Sequence, residues 1–93
     1  MTYFNLVYHL ASDYMIKREA VRSRHFAHLK PYFDRGEIIL GGAHEDISKG
    51  ALIVFKVENE HTVHKFAEQD PYVIEGVVTG YEINQWNVAI GNQ

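Results

Sequence analysis

From Tyr3 to Leu10 the chain alternates, with Phe4, Leu6, Tyr8 and Leu10 on one side and Tyr3, Asn5, Val7 and His9 on the other. A period of two is that of a β-strand. Both sets are largely apolar, which predicts a central strand covered by helices on one face and by another subunit on the other. Ser12 or Asp13 can then cap a helix. The apolar positions Ile16, Ala20, Phe26, Ala27, Leu29 and Phe33, set among Lys17, Arg18, Glu19 and Arg24, follow a helical period. Pro31 disfavours helix at Lys30 and predicts a kink or a short separate turn there, with Gly36 as the stop.

Residues 37–43 read as a second strand that ends in Gly41 and Gly42, a pair that permits close approach by a ligand or another backbone. A polar loop over 44–49 closes at Gly50. Residues 51–57 form the most continuous apolar run of the chain, hence a buried strand antiparallel to the second. Asn59 caps a helix over 60–69 with Val63, Phe66 and Ala67 as its buried stripe. Asp70 and Pro71 restart a short helical turn, proline standing where its missing donor costs nothing, and Gly76 closes it. The last strand starts at Val77. Val77, Thr79, Tyr81 and Ile83 share one parity and Trp86, Val88 and Ile90 the other, which predicts a bulge near Asn84 and Gln85.

The order strand, helix, strand, strand, helix, strand gives, with right-handed crossovers, an α+β fold of the ferredoxin-like kind: a βαββαβ antiparallel sheet with both helices on one face. The other face is then open. The first, third and fourth strands look apolar on both sides, so stacking two sheets into a homodimer is the simplest cover.

Ninety-three residues make one domain, 1–93, with no linker or repeat, and a core small enough for a partner subunit to help. With 46% hydrophobic and 13% aromatic residues the chain lies well inside the globular regime. A net charge of -3 leaves no basic footprint for nucleic acid. The absence of cysteine removes disulfides, thiolate metal sites and thiol nucleophiles together. No apolar run approaches a membrane span and the first residues lack the pattern of a secretory signal, so a cytoplasmic protein with no membrane partner is expected.

The chemistry concentrates in two places. Arg22 and His25, three residues apart, emerge within about 60° of each other on a helix and can share one site. Asp70-Pro71-Tyr72 lies far downstream, where only the tertiary fold can bring it to the first pair. Arg22 offers a planar fork of donors for a carboxylate or phenolate; otherwise it is an exposed arginine pairing with Glu19 or Asp70. Tyr3, Tyr8, Tyr72, Tyr81 and Trp86 could line an aromatic pocket, although aromatic residues also dominate cores and interfaces. His25/His28 and His61/His64 have the spacing of half a metal site, but no acidic residue stands at a ligand-like offset, and no metal is expected. Gly41-Gly42 lacks the lysine and following helix of a phosphate loop.

Arg22-Ser23-Arg24-His25-Phe26-x-x-Leu29, Gly41-Gly42 after the second strand, and Phe66 to Tyr72 followed by Gly76-Val77 occur in that order along the chain. In these motifs the chain resembles the YciI-like family. The resemblance implies a dimeric α+β barrel of ferredoxin-like halves, related to the muconolactone isomerase group, with a His and an Asp as active-site pair. Some of its members act on chlorinated or hydroxylated aromatic rings. Carried over by motif, the pair is His25 and Asp70, with Arg22 as the accompanying basic residue; Arg22, Gly41, Gly42 and Tyr72 are the expected substrate-binding positions. Two departures bear on the pocket: the family often has Ala-Gly-Pro in place of Gly41-Gly42-Ala43, and Leu in place of Phe26.

In the functional reading, a carboxylate on one ring nitrogen fixes the imidazole tautomer and leaves the other nitrogen to move a proton. An Asp before a Pro at a helix start is also a capping arrangement. Capping uses one oxygen, and the other can still face His25. For His25 alone the bland reading is a helix histidine half packed in the core. The expectation is thus a cofactor-free isomerase, lyase or dehydrohalogenase acting on a small anionic or aromatic compound. The alternative is a non-catalytic ligand-binding or regulatory dimer using the same cleft.

Overall fold

A computed structural model describes residues 1–91. Strands β1 (Thr2–Leu10), β2 (Ile38–Ala43), β3 (Ala51–Val57) and β4 (Val78–Trp86) form one antiparallel sheet in the order β2-β3-β1-β4. Helices α1 (Tyr14–Lys17), α2 (Arg22–Asp34), α3 (Glu60–Gln69) and α4 (Pro71–Ile74) join them, the helical layer packing on one face of the ferredoxin-like sheet.

The face under the helices is built by register. Leu6 lies between Ile53 and Ile83, Phe4 beside Phe55, and Tyr8 between Ala51 and Tyr81. Val63, Phe66 and Ala67 of α3 close over this layer, all with no exposed surface. Phe66 meets Phe55 edge-on with ring centroids 5.2 Å apart. The cap expected for α3 is present, the Asn59 side chain accepting from the His61 N–H at 3.0 Å. Asp70 caps α4 in the same way and Pro71 opens it.

Three sequence expectations are corrected. The first helix is not continuous: α1 passes into a 3-10 turn over Arg18–Ala20, and α2 starts afresh after Val21. Asp13 stands before α1 without a side-chain capping bond. The helix also faces differently from its most hydrophobic residues. Ile16, Phe26 and Phe33 are exposed, while Tyr14, Val21 and His25 are buried and Leu29 and Tyr32 pack on the core. Second, α2 runs through Pro31 to Asp34. Ala27 and Pro31 both lie on its exposed side, so the carbonyl that loses its donor is left to water. Third, the irregularity in β4 falls between Val78 and Gly80, opposite His9 and Leu10; pairing through Asn84 and Gln85 is regular. The extra residue, Thr79, turns Val78 to the same face as Tyr81, and its hydroxyl donates to the His9 carbonyl at 3.2 Å.

The second face carries Tyr3, Val7, Leu52 and Val54, crossed by polar pairs. Asn84 donates to Asn5 at 2.9 Å, His9 meets Glu82 at 2.9 Å, and the Lys56 ammonium lies 5.5 Å from the Tyr3 ring centre. β4 is therefore not apolar on both sides, since Glu82 and Asn84 lie on this face. No helix among the described residues is long and apolar enough to cross a membrane.

Candidate functional site

Asp70 is the pivot between the two halves of the sequence. The end of α3 and the start of α4 share this residue, which has extended backbone geometry (φ -69°, ψ 122°) because proline follows it. Its carboxylate is turned inward and wholly buried. Oδ1 accepts the Tyr72 backbone N–H at 3.0 Å, the capping bond of α4, and also His25 Nδ1–H at 2.8 Å. Oδ2 accepts the Tyr8 hydroxyl at 2.6 Å. Thus capping and histidine orientation coexist, on a single oxygen.

A carboxylate can only accept, so the proton of the His25–Asp70 bond sits on Nδ1 and the lone pair of the neutral ring is on Nε2. That nitrogen has no hydrogen-bond partner among the described residues. The ring is further fixed by the Tyr72 side chain, which stacks on it at 3.8 Å with the planes 2° apart. Phe26 meets its edge at 5.3 Å. Position, tautomer and plane are all set by groups other than a ligand.

Beside the ring lies a cavity of about 300 Å³, in the range that one small molecule occupies. Its wall combines Tyr8 and Leu10 of β1, Arg22, His25, Phe26 and Leu29 of α2, and Gly41 and Gly42 of the edge strand β2. Tyr14, Arg18 and Tyr72 complete the polar end. Gly41 lies close to the next strand: a Cβ there would meet Ile53 Cγ1 at 3.3 Å, tight enough that this side chain must shift slightly, and the Leu52 carbonyl oxygen at 3.4 Å. Gly42 is under no such constraint, with open space where its Cβ would go.

Burial raises the Tyr8 phenol far above its ordinary range, and the charge of Asp70 and their hydrogen bond push in the same direction. Tyr8 is a fixed donor rather than a proton shuttle. The Tyr72 phenol is pushed up to about 12 by burial first, then by Tyr14 and Asp70, against the lowering influence of Arg22 and Arg18. Both arginines and Tyr72 line the cavity.

All six residues singled out from the sequence, His25, Asp70, Arg22, Gly41, Gly42 and Tyr72, meet here. Five line the cavity, and Asp70 stands behind the histidine. Arg22 pairs with neither Glu19 nor Asp70; it lies over the Phe26 ring at 5.1 Å. Of the aromatic candidates, Tyr8 and Tyr72 belong to the wall, while Tyr3, Tyr81 and Trp86 do not. His28 is turned away to the Phe66 carbonyl at 2.9 Å and His64 to Glu60 at 2.7 Å, and no group of three potential metal ligands occurs among the described residues. Sequence reasoning missed Tyr14 and Arg18. They stand on α1 and the 3-10 turn that follows it, a break in the helix that the sequence did not reveal.

A ferredoxin-like sheet with a buried His–Asp pair beside a small cavity between helices and sheet defines an α+β domain of a recognisable class. The chain belongs to the YCII-related domain family, whose model matches residues 1–87. Among solved structures it is similar to the 5-chloro-2-hydroxyhydroquinone dehydrochlorinase TftG from Burkholderia phenoliruptrix AC1100, in complex with 2,5-dihydroxybenzoquinone. The TM-score is 0.73 at 21% identity, covering 91% of this chain and 93% of that one, a likeness of fold. A search of curated proteins gave no match.

Proposed function

We propose that the protein is a cofactor-independent enzyme in which His25, oriented by Asp70, moves a proton on a small anionic or aromatic compound held in the cavity. The observation that carries this reading is the division of labour on one ring: Nδ1 is tied to a buried carboxylate at 2.8 Å, while Nε2 is left without a partner in a ring that lines the cavity. A histidine that served packing alone would have no need of a cavity beside it. The fold shared with a dehydrochlorinase supports elimination of a halide as the reaction to test first.

In that step Nε2 takes a proton from a substrate hydroxyl or carbon. The electron pair released forms a new π bond, and the carbon–halogen bond breaks with its pair leaving as halide. Isomerisation uses the same shuttle, the proton being returned to another atom of the substrate. Neither step needs an oxidant or a reductant. The open sheet face, with Tyr3, Val7, Leu52 and Val54, supports a homodimer formed by sheet stacking.

The test is turnover of chlorinated hydroquinones, with halide release and product absorbance followed together. His25→Gln, which keeps the shape of the side chain, is expected to reduce the rate by about 10²- to 10⁴-fold while leaving the circular dichroism spectrum unchanged. Full turnover by that variant refutes the acid/base role. Ligand-induced stabilisation without any product, across chlorinated, hydroxylated and lactone compounds, would leave a binding protein only.

A further inference from the structure

The cavity has a charge that nothing in the protein answers. Four arginines are present. Arg24 pairs with Glu75 at 3.7 Å and Arg35 with Glu37 at 2.8 Å. Arg18 and Arg22, the two that line the cavity, have no carboxylate partner among the described residues. They are held over aromatic rings instead, Arg18 5.4 Å from the centre of Tyr14 and Arg22 5.1 Å from that of Phe26. Stacking fixes the plane of a guanidinium but leaves its in-plane N–H donors free. One of these, Arg18 Nε, is buried with no hydrogen-bond partner among the described residues. A buried donor on a charged group costs stability for as long as it is unanswered. The nearest carboxylate of the site, Asp70, is already filled by Tyr8, His25 and the Tyr72 N–H.

We infer that Arg18, together with Arg22, is the anion receptor of the cavity and restricts its ligands to small planar anions with two negative oxygens, such as an aromatic carboxylate. A carboxylate accepts side-on from the Nε and one terminal nitrogen of a guanidinium, which answers the orphaned Nε. Tyr72 lines the same cavity, its ring stacked on that of His25 at 3.8 Å. The Leu10, Leu29 and Ile53 side chains offer the ring an apolar surface, and the volume of about 300 Å³ admits one ring and little more. This inference rests on the proposed site being a ligand cavity, but not on proton transfer at His25.

Calorimetric titration separates the two. The probes are benzoate, salicylate and the neutral isostere benzamide, against the full-length protein and its Arg18→Gln, Arg18→Lys, Arg22→Gln and His25→Gln variants. The wild type is expected to bind benzoate or salicylate at least tenfold more tightly than benzamide, with affinity falling as salt is raised. Arg18→Gln should weaken the anions about 10- to 100-fold and bring them level with benzamide. Arg18→Lys keeps the charge but not the fork, and should recover only part of the loss. His25→Gln should retain the preference for anions. A merely structural arginine would lower the melting temperature in Arg18→Gln without changing the ratio of anion to amide. That outcome, or benzamide binding as well as benzoate to the wild type, overturns the inference and leaves the acid/base proposal standing. Anion selectivity that survives in a protein with no turnover of any compound would refute the acid/base proposal and support the receptor.

Discussion

At the scale of single residues the site is held by the Tyr8 hydroxyl as much as by the His–Asp pair. Tyr8 is the sole partner of Asp70 Oδ2 among the described residues, at 2.6 Å. Removing it leaves half of a buried carboxylate unanswered. Tyr8→Phe is expected to lower stability by about 1–3 kcal/mol, read from urea unfolding with an unchanged m-value. The same residue sets a pH limit. The Tyr8 and Tyr72 phenols are both raised in the folded protein, so the folded state retains protons that the unfolded chain gives up above about pH 10. Their contribution is fully present below that pH and is lost as pH rises, for Tyr72 through about 12. Thermal melts at increasing pH should therefore fall beyond about pH 10, and Tyr8→Phe should flatten that fall. The sequence offered Tyr8 as a candidate for an aromatic pocket, but its bond to Asp70 was not legible from its position in an alternating strand.

Among the elements, what could be read from the sequence and what could not divide along physical lines. β3 spans the residues its apolar run marked, and α3 is bounded by the Asn59 cap and the Asp70-Pro71 break that marked its ends. These are local signals. The first helix misled because its inward side is mixed in character: Tyr14, Val21 and His25 are buried with Leu29 and Tyr32 packed on the core, while Ile16, Phe26 and Phe33 are exposed. The bulge was misplaced for a similar reason. Parity counts along one strand cannot register the partner, and it is the partner, β1, that shows the pairing slipping at His9 and Leu10.

The hairpin between β2 and β3 gives a test at this scale. Gly50 has φ 78°, and a Cβ there would run into the Tyr8 carbonyl oxygen, which is backbone and cannot swing aside. Gly50→Ala should destabilise by more than 1 kcal/mol through strain and displacement of β1. Gly42→Ala, with open space around the added carbon, should unfold at the same urea concentration as the wild type within about 0.5 kcal/mol. Equal effects of the two would mean that the hairpin does not pack against Tyr8 as described.

Over the whole molecule, one face of the sheet is closed by helices and the other is not. Sheet stacking would bury Tyr3, Val7, Leu52 and Val54 while enclosing the Asn5–Asn84 and His9–Glu82 pairs, already satisfied within one sheet. Sedimentation equilibrium is expected to give twice the chain mass of 10.7 kDa. Val7→Glu, which places a second carboxylate across from Glu82, should shift the protein to monomer and lower its melting temperature. A wild type that sediments as a monomer at micromolar concentration rules the stacked dimer out. The cavity lies on the helical side, so its lining does not require this contact.

One carboxyl group closes a helix start, aims an imidazole and anchors a strand through Tyr8. The start of α4, the plane of the His25 ring and the anchoring of β1 are consequently coupled in a single atom group, and Asp70→Asn would disturb all three in one stroke. Gly42, with open space around it, lies outside that coupling and can be exchanged without loosening the foundation.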